Sequence, residues 1–231
     1  LNFSLRLCAF AGEIVPAMST ILTDIETRVL GSLIEKQVTT PEYYPLTLNA
    51  LTLACNQKNN RYPVTAYTEN QVSDAVESLR EKNLAYVFYG STSRVPKYKH
   101  VMPEVMHLNH AEVAVMCVLM LRGAQTLGEL RGNASRLHEF SSLEEIEQTL
   151  NGLITLDEPL VARLPRQPGQ KEGRFAHLLS GEINLEALAE SERTAAAVPS
   201  RRASLEEKIE ALTAEVENLK EQFEQFRKQF E

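Results

Sequence analysis

No run of this chain is apolar for long enough to cross a bilayer, so no membrane span is expected. Cysteine is scarce: Cys8, Cys55 and Cys117 are odd in number, widely spaced and form no CxxC pair. That excludes a disulfide framework and suits a reducing, cytoplasmic compartment. A P-loop, a G-x-S-x-G turn and a dinucleotide fingerprint are all missing. His107 and His110 make an H-x-x-H, but metal ligation needs three or four converging ligands and no third has suitable spacing. Cys117, seven residues after His110, suits the core as a small apolar residue. Carboxylate pairs such as Glu144-Glu145 fall at a helix start, where they complement the helix dipole without acid–base work. No catalytic residue, metal or other cofactor is therefore expected, and the chain reads as a non-enzyme.

Positive charge is also in short supply, with 24 Lys and Arg against 31 Asp and Glu and a net charge of −7. Its distribution is uneven: residues 18–103 sum to +1, residues 104–181 to −3 and residues 182–231 to −5. The first third is neutral to slightly basic, short of the strongly basic domain of a tight DNA binder.

What the chain does have is one plan written twice. Three helix-like segments and two strand-like runs around a basic, Gly-containing turn occupy Asp24 to Val101, and again Asn109 to Leu179. That order is the signature of a winged helix, a helix-turn-helix variant with a β-hairpin appended. The expected fold is α+β and mainly helical: two tandem winged-helix domains followed by a C-terminal coiled-coil helix. The domains are expected at 18–103 and 104–181, with an extension at 1–17, a flexible linker at 182–204 and the coiled coil at 205–231.

In the first copy, DIETRVLGSLIEKQ is helix one. Helix two is expected from Leu46 to Cys55, with Pro45 pre-setting its first turn. Helix three starts at Thr68 through the capping pattern TENQ and buries Val72, Val76 and Leu79. The strands are LAYVFY and RVPKYKHV around GSTS; Pro96 lacks a ladder donor, which calls for an edge strand or a bulge there. In the second copy the helices are HAEVAVMCVLMLRG, TLGELRGNASRL and SSLEEIEQTLNGLI. Ser142 caps the last, Glu145 completes S-x-x-E, and Leu143, Ile146, Leu150 and Leu153 face inward. The wing is LVARLP, RQPGQKEG and RFAHLL. Helix one aligns at an offset of 86 residues, but Leu84 and Leu160 are 76 apart. The ten-residue difference is expected between helices one and two, where only the first copy carries TTPEYYP.

The flanks are different in kind. LNFSLRLCAFAGEIVPA has a short apolar stretch broken by Arg6 and no basic n-region, so it reads as a poorly ordered extension upstream of Met18 rather than a secretory signal. Residues 182–204 are rich in Ala, Glu and Ser, as a flexible linker would be. The tail is a heptad seam with Ile209, Val216, Phe223 and Phe230 at a, and Leu205, Leu212, Leu219 and Phe226 at d. β-Branched residues at a with Leu at d favour a parallel homodimer, with Glu215 and Lys220 attracting across the pair. The competing reading is an amphipathic helix packed back on its own domains.

Cations concentrate at the wings: Arg94, Lys97 and Lys99 in the first, Arg166, Lys171 and Arg174 in the second. Lys58 and Arg61 stand ahead of helix three among Asn56, Gln57, Asn59 and Asn60. Such residues suit phosphate contacts, which carry affinity without sequence information. In a helix-turn-helix, bases are read by the second helix of the motif. Here that helix offers Asn70 and Arg80 but also Glu69, Asp74, Glu77 and Glu81, and its counterpart offers Glu144, Glu145 and Glu147 with no cation. The reading is a dimeric cytoplasmic regulator that binds double-stranded DNA with modest, salt-sensitive, wing-led affinity. The alternative is a winged-helix adaptor for an unknown protein partner, using the acidic helices as its surface.

At NQKNNRYPV, VPKYKH, GAQTLGELR and PGQKEGRFAHLLSG the sequence resembles the YceH-like family of bacterial proteins of unknown function, over about residues 20–181. The resemblance implies tandem winged-helix domains and a short terminal coiled coil; it implies no activity. Where the family pattern reads GELR-x-R, this chain has Gly132-Asn133. The second arginine is missing, while Arg131 and Arg136 remain as candidate nucleic-acid contacts.

Overall fold

A computed structural model of the chain describes residues 21–89, 95–166, 172–181, 183 and 216. Helix α1 (Asp24–Thr39) opens on Thr23, whose hydroxyl accepts from the Glu26 N–H while the Glu26 carboxylate accepts from the Thr23 N–H. This reciprocal pair satisfies two of the donors that every helix start leaves unpaired. Helix α5 (His110–Arg122) opens the same way on Asn109 and Glu112, 86 residues on. Each of these helices begins a repeat of the same order.

In the first repeat α1 is followed by a 3-10 turn (Pro41–Tyr43), strand β1 (Leu46–Thr47), helices α2 (Leu48–Cys55) and α3 (Glu69–Glu81), and strands β2 (Ala85–Phe88) and β3 (Lys97–His100). In the second, α5 is followed by α6 (Leu127–Ala134), α7 (Leu143–Ile154), β4 (Val161–Arg163) and β5 (Phe175–His177). A short helix, α4 (Met102–Met106), joins the two and was not foreseen from sequence. The fold is thus α+β, with seven α-helices and small antiparallel sheets among the described residues.

The helix caps show how the repeats diverged. Thr47 and Thr126 cap the second helices 79 residues apart, and Thr68 and Ser142 cap the third helices 74 apart. The length difference is therefore not one deletion between helices one and two, as expected. It is shared between both interhelical loops, and two residues are regained before Leu84 and Leu160. These two leucines are equivalent: the carbonyl of Leu84 accepts from Val101 N–H, and that of Leu160 from Leu178 N–H.

In the first sheet the order is β1-β3-β2, with Leu46 opposite Tyr98 and Ala85 opposite His100. The second sheet pairs β4 with β5, and the third strand shrinks to one bridge, Gln125 opposite Phe175. Three local expectations are corrected here. Leu46 and Thr47 are strand, not helix, because Thr47 is extended and its hydroxyl caps α2 by accepting from Ala50 N–H. Pro45 therefore precedes a strand and sets no helical turn. The strand after Pro96 is the central one; β3 begins at Lys97, so the missing donor falls outside the ladder and needs neither an edge nor a bulge. In α7, Ile146, Leu150 and Leu153 are fully buried but Leu143 is exposed. There Ser142 caps, while the Glu145 carboxylate reaches past it to the N–H and hydroxyl of Ser141.

Helix α1 is buried without interruption from Glu26 to Glu35, and α5 from Val113 to Leu121. The two lie against each other, which is why neither shows a clean polar face. Gly31 permits the approach, since a Cβ there would stand 3.0 Å from Cγ and Cδ2 of Leu121. Cys117 is in the core, its Sγ donating to the Gly31 carbonyl at 3.4 Å. One hydrophobic cluster runs through both repeats, and Met102 at the start of α4 is fully buried. Residues on both sides of the expected boundary at 103/104 belong to that cluster. The chain closes on itself where Leu22 N–H donates to the Leu179 carbonyl at 2.7 Å and the Thr27 and Ser180 hydroxyls meet at 3.1 Å.

The chain up to Glu182 forms one compact unit and Ile183–Glu231 a second. In the second unit Val216 is helical and half-exposed. The other expected seam residues, Leu205, Ile209, Leu212, Leu219, Phe223, Phe226 and Phe230, lie outside the described residues, as do 1–17 and, apart from Ile183, the segment 182–204. Among the described residues no helix is long and apolar enough to cross a membrane.

Candidate nucleic-acid interface

Helix α3 buries Val72, Ala75, Val76 and Leu79 and turns its acidic face outward. Glu69, Asp74, Glu77 and Glu81 are exposed beside Asn70. Arg80 is held by Glu77 one turn back, and Asn49 of α2 donates to Glu69 at 2.9 Å. The helix that would enter a groove therefore offers no unengaged cation among these residues. On α7, Glu144 and Glu147 are exposed, and hydrogen bonds from the first-turn backbone and Ser142 hold Glu144 below the usual carboxylate range.

The segment NQKNNRYPV has another task than the one read from its polar composition. The Arg61 side chain is fully buried, and its Nη2 meets the Glu35 Oε2 at 2.6 Å. The same guanidinium donates to the Ala54 carbonyl at the end of α2, to the Asn60 carbonyl and to the Gln57 side chain. Arg61 is thus withdrawn from the candidate phosphate contacts, because a fully enclosed guanidinium with all its donors engaged cannot reach a ligand. Tyr62 N–H donates to the Leu121 carbonyl of α5 at 2.8 Å, and Arg122 donates to the Asn60 side chain. Arg28, also buried, donates to the Pro63 carbonyl at 2.7 Å and to that of Cys55. Burial, and then the nearby Arg61 charge, lowers its pKa. The segment is a brace that ties α1, α2 and the second repeat together. Lys58 alone of its cations is exposed.

The arginines of the second repeat are spread out and largely engaged. Arg136 is exposed, with its Nη2 3.6 Å from Glu35 of the first repeat. Arg131 donates to the Ser141 carbonyl at 3.2 Å, and Arg174 stands 3.8 Å from Glu129. Arg166 is exposed three residues after the end of β4, and Lys171 lies outside the described residues. At the position of the missing family arginine, Asn133 donates to the Gln125 side chain at 2.7 Å. His107 closes α4 in the left-handed conformation and His110 opens α5. No group of three or more His, Cys, Asp and Glu among the described residues is placed to hold a metal.

The first hairpin, β2 with β3, differs. Arg94 lies outside the described residues, but Lys97 and Lys99 are half-buried on β3, directly opposite Phe88 and Tyr86 of β2. Residues directly opposite on paired strands share a face of the sheet. Both rings are exposed, and the Lys99 Nζ stands 5.8 Å from the Tyr86 ring centroid. No described carboxylate forms an ion pair with either lysine. The aromatic pair was legible in the alternation of Ala85-Tyr86-Val87-Phe88, whose larger members fall on one face. What the alternation lacked was which face meets solvent.

A family profile described as "Protein of unknown function, DUF480" matches residues 22–170. A UPF0502 protein of Geobacter sulfurreducens is 53% identical over 178 residues, covering 77% of this chain and 80% of its own. A UPF0502 protein of Opitutus terrae is 54% identical over 166 residues, covering 71% and 72%. One from an Enterobacter species is 46% identical over 200 residues, covering 84% and 90%. At this coverage and identity, the chain belongs to the DUF480 or UPF0502 family of bacterial proteins of unknown function.

Proposed function

We propose that each repeat is a winged helix and that the protein is a cytoplasmic DNA-binding regulator, dimeric through its tail, which holds the duplex mainly by its first wing. The observation that carries this is the pair Lys97 and Lys99, side by side on a hairpin with no described carboxylate partner. The helix–strand–helix–helix–hairpin order of the first repeat supports the winged-helix reading. The outward carboxylates of α3 and α7 argue for contacts to phosphate rather than to bases, hence for modest and salt-dependent affinity. The same carboxylates favour a second reading, an adaptor that docks a basic protein partner on these helices.

Electrophoretic mobility shift on mixed genomic fragments separates the two. DNA binding predicts a shift at low salt that fades at moderate salt. Lys97→Ala with Lys99→Ala should weaken it on all fragments alike and reduce the salt slope by about 2. A wild-type protein that shifts nothing at low salt removes DNA binding and leaves the adaptor.

A further inference from the structure

We propose that the outer face of the first wing is a stacking platform for unpaired nucleobases, so that the protein takes single-stranded nucleic acid as well as, and separately from, duplex. The face is built by β2 and β3. Tyr86 is paired with Lys99 and Phe88 with Lys97, so on one side of the sheet two rings line β2 and two lysines line the adjacent β3. Ala85, Val87, Tyr98 and His100 take the other side, toward the core. Tyr86 is 38% exposed and Phe88 43%. Two large aromatics side by side on a solvent-facing strand offer a surface that a ligand can cover.

The chemistry of the face selects the occupant. Protein interfaces favour aromatics but are depleted in lysine, whereas here each ring is faced by one. Rings flanked by cations match a ligand that offers a π-face and an anion in every repeating unit, which is a nucleotide strand. In a duplex the base faces are stacked on one another and only their edges are open to the grooves. A flat ring on a sheet can reach a base face only when that base is unpaired. Residues two apart on a strand stand ~7 Å apart. That is about twice the ~3.4 Å rise of stacked bases, so each ring would hold its own base from a splayed strand. Lys97 and Lys99, one on each side of Tyr98, would then lie along the phosphates.

Fluorescence anisotropy on the full chain at low salt tests this, with four labelled probes of about twelve units: oligo-dT, oligo-U, an abasic strand and a duplex. The expected result is binding of oligo-dT or oligo-U at least about tenfold tighter than the abasic strand; the tighter of the two identifies DNA or RNA as the source. Tyr86→Leu and Phe88→Leu keep an apolar side chain without a ring. Each should weaken oligonucleotide binding roughly 5- to 100-fold while leaving the abasic strand unchanged. Lys97→Ala with Lys99→Ala should weaken all four probes. Equal affinity for oligo-dT, oligo-U and the abasic strand overturns the platform, and so does unchanged oligonucleotide binding in the leucine variants. Leucine variants that change the sedimentation of the protein but not its oligonucleotide affinity would assign the face to a second copy instead. If single strands fail but the duplex still binds, the stacking inference falls and the duplex-binding proposal stands; the reverse pattern does the opposite.

Discussion

Replacing Arg61 by Met separates a structural brace from a phosphate contact. The guanidinium is fully enclosed, pairs with Glu35 at 2.6 Å and donates to the Ala54 carbonyl from both Nε and Nη2 at 3.1 and 2.9 Å. Its removal strands a carboxylate that is itself only 7% exposed and uncovers the carbonyl at the end of α2. Breaking one side of a buried ion pair costs about 3–5 kcal/mol. Two further cations stand near Glu35, Arg136 at 3.6 Å and Lys36 at 3.9 Å, but Arg136 is mostly in water. That places the cost near the low end, at about 3 kcal/mol. At roughly 2–4 °C per kcal/mol for a chain of this size, the midpoint should fall by about 6–12 °C in a thermal melt followed by circular dichroism at neutral pH. Adding Glu35→Leu removes the stranded charge and should restore part of the loss, with the Ala54 carbonyl still unsatisfied at a cost of about 1–3 kcal/mol. Lys58→Ala, on the exposed side of the same segment, should stay within about 0.5 kcal/mol of wild type. A melt of Arg61→Met within about 2 °C of wild type would refute the brace, and a loss of DNA binding at unchanged stability would return Arg61 to the phosphate contacts.

Acid should loosen the fold through two equivalent histidines. His100 and His177 occupy the same position of the two repeats, 77 residues apart, and burial lowers both from 6.5 to about 4. Above pH 6.5 native and unfolded states are both neutral there. Between 6.5 and 4 only the unfolded chain takes up the protons, so stability should fall by roughly 1.4 kcal/mol per pH unit per histidine, a slope that His100→Leu with His177→Leu flattens. An unchanged slope in urea titrations of that double variant would contradict the assignment. Below about pH 4.5 a further loss should set in, down to about pH 2, as Glu26 takes up a proton in the unfolded chain but not in the folded one; burial works to raise its native pKa, but Lys82, Ser78 and Thr23 hold it at about 2. Gly31→Val should cost about 1–3 kcal/mol by overpacking against Leu121, and Leu121→Ala in the same chain should relieve part of it. Strict additivity of those two changes in urea midpoints would mean that α1 and α5 do not meet at Gly31.

The features legible from sequence were those decided within one or two turns of chain. Thr68 with Gln71 forms the expected capping box. The period of Val72, Val76 and Leu79 fixed the buried face of α3, and the strands of both hairpins fall within the runs read as strands. Where a local pattern admitted two outcomes, tertiary contacts chose. Leu46 fits a helix start by composition, yet its pairing with Tyr98 makes it strand and hands the capping role to Thr47. Glu145 completes a capping pattern on paper, yet Ser141 offers it both an N–H and a hydroxyl.

The candidate site was less legible, because exposure of a charged or aromatic residue is set by what arrives from elsewhere in the chain. Arg61 and Lys58 are near neighbours in one polar run. One is enclosed because Glu35 lies on a helix 26 residues away, and the other meets water. Tyr86 and Phe88 read as ordinary strand aromatics until the sheet order shows that their face is the uncovered one.

The sequence by itself determined the duplicated order of three helices and a hairpin, because periodicity and caps act over a few residues and are written into each segment. Only the tertiary structure decided that the two copies share a core. That outcome depends on α1 and α5 being apolar on more sides than one repeat can cover, and on Gly31 letting them approach. The same packing turned the polar run before α3 inward as a brace and left the aromatic and basic face of the first hairpin open, since side chains are buried by distant partners and not by their neighbours in sequence.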